Sequence, residues 1–355
     1  MPLKWKPDWE TAKANLIKWW DRKGLALEVT APRREPVENL PRPEPPADIA
    51  ARYTDPVYRR AKAEYEMSRT FFGGEAFPYY DAILGPGSLG SFLGAKPGFS
   101  AETVWYDPCI EDPDSWGPIR FEPKGNKWWD IHVALIEEGR RSARGRYLLG
   151  VPDLIENIDT LAAMRGTEPL LMDMIERPDW VKRSIEEVNQ AFFAAFDGIY
   201  ERVKDEDGGS AFAAFGIWSP GKTAKVQGDF TCMISPEMFR EFVAPALSAQ
   251  CRWLDRSMYH LDGTTAMQHL DALLEIEALD AIEWTPQASL PGGGSPQWYD
   301  LYRRIKAGGK SVQAIHVKPE EVLPLLDAVG PEGMFLSVRA PDEDTARRLI
   351  EKVRG

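Results

Sequence analysis

Two histidines and an aspartate occupy positions where strands are predicted to end, and their types suit metal binding. His260 and Asp262 are two residues apart in the segment YHLDG, and side chains two apart in a strand lie on the same face. His316 ends a later apolar segment, so it could supply a third ligand. Imidazole and carboxylate groups bind zinc and similar divalent metals, and open coordination positions can then activate a substrate. The pattern therefore predicts a metal site formed by His260, Asp262 and His316.

The same residues allow an interpretation without a metal. Asp262 could simply orient the imidazole of His260, or its carboxylate could cap the helix that is predicted to begin at Thr264. A histidine two residues from an aspartate is a weak motif. The metal prediction therefore depends on the shared position of these residues at strand ends.

Asp229 and Glu283 form a second candidate set, with His260 as the third predicted catalytic residue. Asp229 lies in QGDFT and Glu283 in AIEWT, each at a predicted strand end. Two carboxylates that face one pocket suit general acid–base catalysis, because burial can keep one protonated while the other stays ionised. The same pair could cleave a glycosidic bond if its separation is suitable. Asp229 could instead be a hydrogen-bonded turn residue after Gly228.

Four further residues are predicted to bind substrate. Trp218 and Trp284 adjoin the candidate carboxylates, and an indole can stack on a sugar ring or donate its N–H to a hydroxyl. Both could equally pack the rim of the fold. Arg339 presents a planar fork of donors that suits a carboxylate or phosphate, although an acidic residue of the last helix is an alternative partner. Tyr80 precedes the glycine-rich segment LGPGSLGSFLG and could reach the pocket or pack at its mouth.

A regular alternation of strands and helices carries these residues in the second half of the chain. Such alternation predicts a parallel sheet in an α/β fold, either a closed barrel or a doubly wound sheet. The one GxGxxG pattern, GPGSLG at residues 85–90, follows no predicted strand, so a dinucleotide-binding fold lacks its main support. The predicted strands are residues 210–218, 227–234, 257–261, 278–284, 311–317 and 333–338.

The first half of the chain is less regular. Residues 25–30 and 147–151 are predicted strands, and the apolar spacing of residues 180–203 predicts a long amphipathic helix. Residues 31–46 contain six prolines, which exclude a helix interior or a central strand. We therefore expect residues 1–70 to form an N-terminal cap or oligomer arm on a single domain that spans the whole chain.

Composition argues against several classes of partner. The net charge is −12, so neither nucleic acid nor an anionic membrane surface is expected to bind. No apolar run approaches the roughly 20 residues of a membrane-spanning helix, and the charged N-terminus lacks the features of a signal peptide. Cys109, Cys232 and Cys251 are far apart, which argues against a disulfide framework or a thiolate zinc knuckle. We expect a cytoplasmic protein that acts on a small molecule.

Four stretches of the chain resemble the uroporphyrinogen-decarboxylase-like superfamily. That superfamily includes porphyrinogen decarboxylases and methyltransferases that move methyl groups to and from corrinoid proteins. The resemblance implies a (β/α)8 TIM barrel with an N-terminal helical extension, a site at the C-terminal ends of the strands, and a homodimer. The stretches are residues 153–181 (DLIENIDTLAAMRGTEPLLMDMIERPDWV), 227–247 (QGDFTCMISPEMFREFVAPAL), 259–286 (YHLDGTTAMQHLDALLEIEALDAIEWTP) and 333–353 (GMFLSVRAPDEDTARRLIEKV).

The chain departs from both branches of that superfamily. Porphyrinogen decarboxylases carry an Arg-rich element resembling RQAGRY near the N-terminus, and this sequence contains none. Zinc-dependent methyltransferases of the superfamily carry a His-x-Cys motif and a later cysteine. Here residues 260–262 are HLD and residues 337–340 are SVRA, so both sulfur ligands would be lost. Their loss counts against thiol methylation, because thiolates help to define such sites.

These observations favour an enzyme that uses carboxylate acid–base chemistry, with a divalent metal such as zinc as a candidate cofactor. The expected substrate is small and either polyhydroxylated, like a carbohydrate, or carboxylated, and a hydrolase or lyase type of reaction is favoured. One alternative is a corrinoid-linked methyltransferase, which would need a corrinoid and a corrinoid protein as partner. Another is a barrel that binds a ligand without turnover. Uroporphyrinogen decarboxylation ranks last because the arginine element is missing.

Overall fold

The computed structural model describes residues 3–355, which form a mixed α/β protein. The described strands are β1 (Ala26–Pro32), β2 (Thr70–Gly74), β3 (Tyr79–Asp81), β4 (Lys96–Phe99), β5 (Val104–Asp107), β6 (Leu148–Val151), β7 (Gly209–Phe212), β8 (Ile217–Pro220), β9 (Thr223–Val226), β10 (Arg256–Asp262), β11 (Ala281–Thr285), β12 (Ser311–Val317) and β13 (Met334–Arg339). The described α-helices are α1 (Trp9–Trp20), α2 (Ile49–Thr54), α3 (Pro56–Ser68), α4 (Ser88–Phe92), α5 (Pro113–Trp116), α6 (Lys127–Ala143), α7 (Asn157–Arg165), α8 (Thr167–Glu176), α9 (Pro178–Val203), α10 (Pro236–Met238), α11 (Ala244–Trp253), α12 (Gly263–Ala266), α13 (Leu270–Leu274), α14 (Tyr299–Ala307), α15 (Val322–Val329) and α16 (Glu343–Arg354).

Within residues 3–355, one sheet contains seven strands in the order β2-β1-β13-β12-β11-β10-β9. Every neighbouring pair is parallel except β2 with β1. The register places His260 opposite Glu283, and Glu283 opposite Gln313. This parallel sheet with intervening helices confirms the predicted α/β class. Because the strands run in the same direction, the carboxyl ends of β9 to β13 meet along one edge.

A second sheet has the order β3-β6-β7-β8, in which β7 and β8 form an antiparallel hairpin. The predicted single strand over residues 210–218 is therefore wrong. The chain reverses at residues 213–216, where Gly216 adopts a φ of +61°. A glycine takes this conformation readily because it has no Cβ, and the ring of the preceding Phe215 lies against the ring of His260.

The predicted extended segment at residues 227–234 is also wrong in its second part. A 3-10 helix covers Asp229–Met233 directly after the short strand β9. The carboxylate of Asp159 accepts hydrogen bonds from the backbone N–H groups of Asp229 and Phe230, which stabilises this turn. The next predicted helix start is confirmed, because the Ser235 side chain accepts from the N–H of Met238 as an N-cap.

Helix α1 closes the edge at which β12 begins. Its tryptophans recur at helical spacing, and Trp9, Trp19 and Trp20 are buried. The Trp19 indole donates to the carbonyl of Val312 at 3.2 Å, and the Trp20 indole donates to that of Trp218 at 2.9 Å. Buried tryptophans therefore pack this end of the sheet.

The proline-rich segment, residues 31–46, has no helix or strand after the end of β1 and is mostly exposed. The N–H of Arg34 donates to Glu343 at 3.1 Å, and its guanidinium pairs with Asp344, so the segment lies along α16. In the described part of the chain, no helix has the length and apolarity needed to cross a membrane.

Candidate functional site

Three side chains converge at the carboxyl ends of β9 and β10. One ligand atom from each of Asp229, His260 and Asp262 can be chosen so that all lie within 4.8 Å of one another. His260 and Asp262 face the same way because they are two residues apart in β10, and His260 Nε2 lies 3.9 Å from Asp262 Oδ2. Asp229 joins them because it follows the end of β9, and β9 pairs with β10. We call Asp229, His260 and Asp262 the metal-type cluster.

The imidazole of His260 is oriented from the neighbouring strand. Its Nδ1 lies 2.5 Å from Oε2 of Glu283, which is fully buried opposite it on β11. Thr285 donates to the other oxygen of Glu283 at 2.7 Å. Burial alone lowers the pKa of His260, but the hydrogen bond and charge of Glu283 outweigh it, so the pKa is raised above its usual value. With Nδ1 occupied, Nε2 is the nitrogen that faces Asp262.

Asp229 is held by hydrogen bonds to its backbone and side chain. Asp159 accepts from the N–H of Asp229 at 2.9 Å. The Gln227 amide donates to both Asp159 and Asp229, at 2.8 and 3.0 Å. Asp229 is exposed at the surface, but crowding by neighbouring groups partly desolvates its carboxyl, and this effect, followed by the negative charge of Asp159, raises the pKa of Asp229 to about 6. The group can therefore change protonation near neutral pH.

A buried ammonium group lies under this network. Lys225 is 1% exposed, forms an ion pair with Asp153 at 2.8 Å, and donates to the Gln227 side chain. Burial lowers the pKa of Lys225, but the charges of Asp153 and Glu156 together with the hydrogen bond to Asp153 outweigh it, so the pKa is raised. The site therefore carries a fixed positive charge among carboxylates. The sequence analysis did not identify Lys225 or Asp159 as site residues. For Lys225, the pattern that could have indicated it is a lysine inside the short strand TAKV.

The loop after β6 adds a strained backbone to the same edge. Ile155 and Asn157 have φ values of +49° and +59°, and a β-branched residue rarely adopts this conformation. Between them, the buried Glu156 accepts from the N–H of Gln227 at 2.8 Å, and burial raises its pKa to about 8. Strain of this kind persists where surrounding contacts fix it, and it concentrates at functional sites.

Two cavities open at this edge. One of about 580 Å³ is lined by Asp159 and Asp229 together with Tyr106 and Phe230. Another of about 360 Å³ lies at the ends of β1 and β3 and is lined by Glu28 and Asp81 among other residues. Both are large enough for small molecules rather than polymers.

The predicted stacking and phenol residues lie away from the metal-type cluster. Trp218 is buried against Trp9, with ring centroids 5.5 Å apart, and its indole donates to Asp205 at 3.0 Å. Trp284 is fully buried against Trp298, and its Nε1 has no hydrogen-bond partner among the described residues. Tyr80 is also buried, with its ring against Gly139 of α6. The structure does not bring these three side chains to the cluster.

The other predicted residues lie at exposed strand ends. His316 lies at an irregularity of β12 with a φ of +56° and is outside the group whose atoms converge. Arg339 is exposed at the end of β13 and forms no ion pair with any residue from 3 to 355, while Glu343 pairs with Arg347. Asp262 precedes α12, but its carboxylate forms no capping hydrogen bond to that helix. The helix-cap interpretation of Asp262 therefore has no support.

Comparison with known proteins gives a likeness in fold. No protein-family profile matches the chain, and no curated sequence matches it significantly. Among solved structures, a methyltransferase from Methanosarcina mazei is similar with a TM-score of 0.63. The likeness covers 97% of this chain and 99% of that one at 10% sequence identity. At this identity it shows a shared α/β fold alone, and the barrel that the sequence resemblance implied stays a prediction.

Proposed function

We propose that the chain is a metal-dependent methyltransferase built on a (β/α)8 barrel. In this proposal it is a divergent member of the uroporphyrinogen-decarboxylase-like superfamily that has lost the thiolate ligands. The observation that carries the proposal is the approach of Asp229, His260 and Asp262 to within 4.8 Å at the carboxyl ends of adjacent strands. Active sites of such barrels are built at that face. The fold shared with a methyltransferase supports the class of reaction.

The donor set suits a divalent cation. Glu283 accepts from Nδ1 of His260, which leaves Nε2 as the ligand nitrogen; such outer carboxylates commonly fix a ligating histidine. Two carboxylates and an imidazole form a harder set than thiolates, and therefore suit zinc or a similar ion with an oxygen or nitrogen substrate. A bound cation would supply Lewis-acid activation of the substrate atom that gains or loses the methyl group.

The remaining residues of the site orient the candidate ligands and form the space for the substrate. Lys225 keeps a positive charge beneath the cluster and offsets part of its carboxylate charge. Asp159 and Gln227 hold Asp229 toward His260. The cavity beside Asp229 would take the substrate, and a corrinoid protein would be the methyl-carrying partner.

Metal content tests the proposal directly. We would measure metals by mass spectrometry on protein purified without chelator, for the natural chain, His260→Ala and Asp229→Asn. His316→Ala is the matched control, because it removes an exposed histidine outside the cluster. We expect about one metal per chain in the natural protein and the control, and loss in the two cluster variants. Metal loss in His316→Ala alone, or no metal in any protein, would contradict the proposal.

Methyl transfer tests the reaction. Methylcobalamin serves as the donor, and its demethylation is followed in the presence of candidate oxygen and nitrogen acceptors. Turnover that disappears with chelator and in His260→Ala supports the proposal. Absence of cobamide binding counts against the corrinoid-linked form.

A second candidate is acid–base catalysis on a small polyhydroxylated or carboxylated substrate without a metal. It is favoured by the pKa of about 6 at Asp229 and by the 2.5 Å contact between His260 and Glu283. The burial of Trp218 and Trp284 leaves that substrate without the predicted stacking surfaces. Turnover that survives chelation but not Asp229→Asn would favour this reading. Tight ligand binding without turnover, insensitive to Glu283→Gln, would favour a non-catalytic barrel.

We also propose a cytoplasmic homodimer. The mostly exposed proline-rich segment, residues 31–46, is available as an arm between subunits. Light scattering at micromolar concentration tests this, and a monomer would exclude it.

A further inference from the structure

The turn between β7 and β8, residues 213–216, lies against the metal-type cluster, and we call it the hairpin tip. We propose that Phe215 in this tip is a positioning residue that fixes the imidazole plane of His260. This inference deepens the proposed function and rests on it. It concerns the orientation of Nε2 of His260, which the positions of the candidate ligand atoms alone do not determine.

Phe215 contacts the imidazole directly. The two ring centroids are 5.0 Å apart with an angle of 44° between the planes. On its Nδ1 edge, the imidazole is held by Glu283 at 2.5 Å. One hydrogen bond fixes one edge of a ring but leaves it able to rock about that bond. A ring packed alongside removes this freedom, and supporting contacts of this kind keep a functional group in its productive geometry.

The hairpin tip is itself anchored from distant strands. The side-chain amide of Gln313, which is fully buried on β12, donates to the carbonyl of Phe215 at 2.9 Å. Gly216 lies against the carboxylate of Glu28 on β1, where an added Cβ would be 3.3 Å from Oε2. Phe215 therefore takes its position from strands other than the one that carries His260. The sheet thus holds Phe215 in a fixed position against the imidazole of His260.

A matched aromatic contact exists elsewhere and provides the control. Phe193 on α9 stacks on Trp253 with centroids 4.6 Å apart, and neither residue belongs to the cluster. Phe193 and Phe215 are both partly buried. Phe193→Ala therefore removes a comparable aromatic contact without touching a candidate ligand.

The first experiment uses protein freed of metal. The 2.5 Å contact between His260 and Glu283 should give a far-downfield imidazole N–H proton signal in NMR, assigned by its loss in Glu283→Gln. We expect Phe215→Ala to broaden or remove this signal by exchange with water. Phe215→Leu should retain it, because leucine still packs against the ring, and Phe193→Ala should leave it unchanged. An unchanged signal in Phe215→Ala would overturn the inference.

The second experiment uses Co²⁺, whose visible absorption reports coordination geometry. We expect Phe215→Ala to weaken Co²⁺ binding by about tenfold and to change the band shape, as loss of an outer support does at metal sites. Phe215→Leu should restore most of the affinity, and Phe193→Ala should match the natural protein. Equal affinity and spectra in Phe215→Ala would overturn the positioning role. Failure of the natural protein to bind Co²⁺ would instead overturn the proposed metal function, and the metal-free NMR result would still decide the role of Phe215.

Discussion

The two ends of the parallel sheet differ in what they bury. At the end closed by α1, Trp19 and Trp20 are buried, and each indole donates to a backbone carbonyl. At the opposite end, Lys225 and Glu283 are buried inside a hydrogen-bonded network with His260 and Asp229 nearby. The first end is therefore dominated by packed indoles with surface ion pairs such as Arg256–Asp280 at its margin, whereas the second places charged groups at the candidate site. In open or closed parallel α/β sheets, ligands bind beyond the carboxyl ends of the strands, so we expect chemistry at the second end.

Trp19→Ala should give the largest loss of stability without harming the site. Removing a fully buried indole leaves a cavity and removes its hydrogen bond to the Val312 carbonyl, and such truncations cost about 4 kcal/mol in the free energy of unfolding. Chemical denaturation measures the loss, and metal content at low temperature should be unchanged. Trp116→Ala, at a partly exposed tryptophan, is the control. Loss of metal in folded Trp19→Ala would show that the two ends are coupled.

Lys225→Met should affect both stability and metal binding. It leaves Asp153 and nearby Glu156 buried without the positive charge, and breaking a buried pair costs about 3 kcal/mol. The control is Lys204→Met, which removes a surface ion pair with Glu201. Denaturation and metal titration are measured together. A Lys225→Met protein as stable as the natural chain would mean that the buried charges are already neutralised by protons.

Glu28→Gln should stabilise the site end in a pH-dependent way. Burial raises the pKa of Glu28 from 4.5 to about 7, against the opposing hydrogen bond from Ser337. When the pKa of an acid is higher in the folded state than in the unfolded state, the free energy of unfolding falls as the pH rises between these two pKa values. Glu28→Gln should therefore gain about 2 kcal/mol relative to the natural chain between about pH 5 and about pH 8. Denaturation at both pH values tests this, with Glu351→Gln as an exposed control; a pH-independent difference would refute it.

Gly216→Ala should give the smallest change, about 1 kcal/mol of stability. Its φ of +61° strains any other residue, and the new methyl would press on the Glu28 carboxylate. Gly145→Ala separates the two causes, since Gly145 has a φ of +72° and open space around it. Thermal unfolding measures both. If the two variants lose the same stability, the contact with Glu28 contributes nothing.

Local patterns in the sequence determined the class of fold. Alternating strands and helices predicted the parallel sheet, and β12 has the predicted bounds of residues 311–317. The N-cap at Ser235 was also predictable, because capping depends on a residue and its near neighbours. The spacing of His260 and Asp262 was enough to place both on one face of a strand.

Only the tertiary structure decided which groups meet. Asp229 joins His260 and Asp262 because β9 pairs with β10, whereas an irregularity in β12 redirects the chain at His316. Lys225, Asp159 and Gln227 belong to one network through contacts about 70 residues apart in sequence. Trp218 and Trp284 adjoin candidate residues in the chain but face the core. Strand order, register and bulges are long-range properties, so no local pattern encodes them.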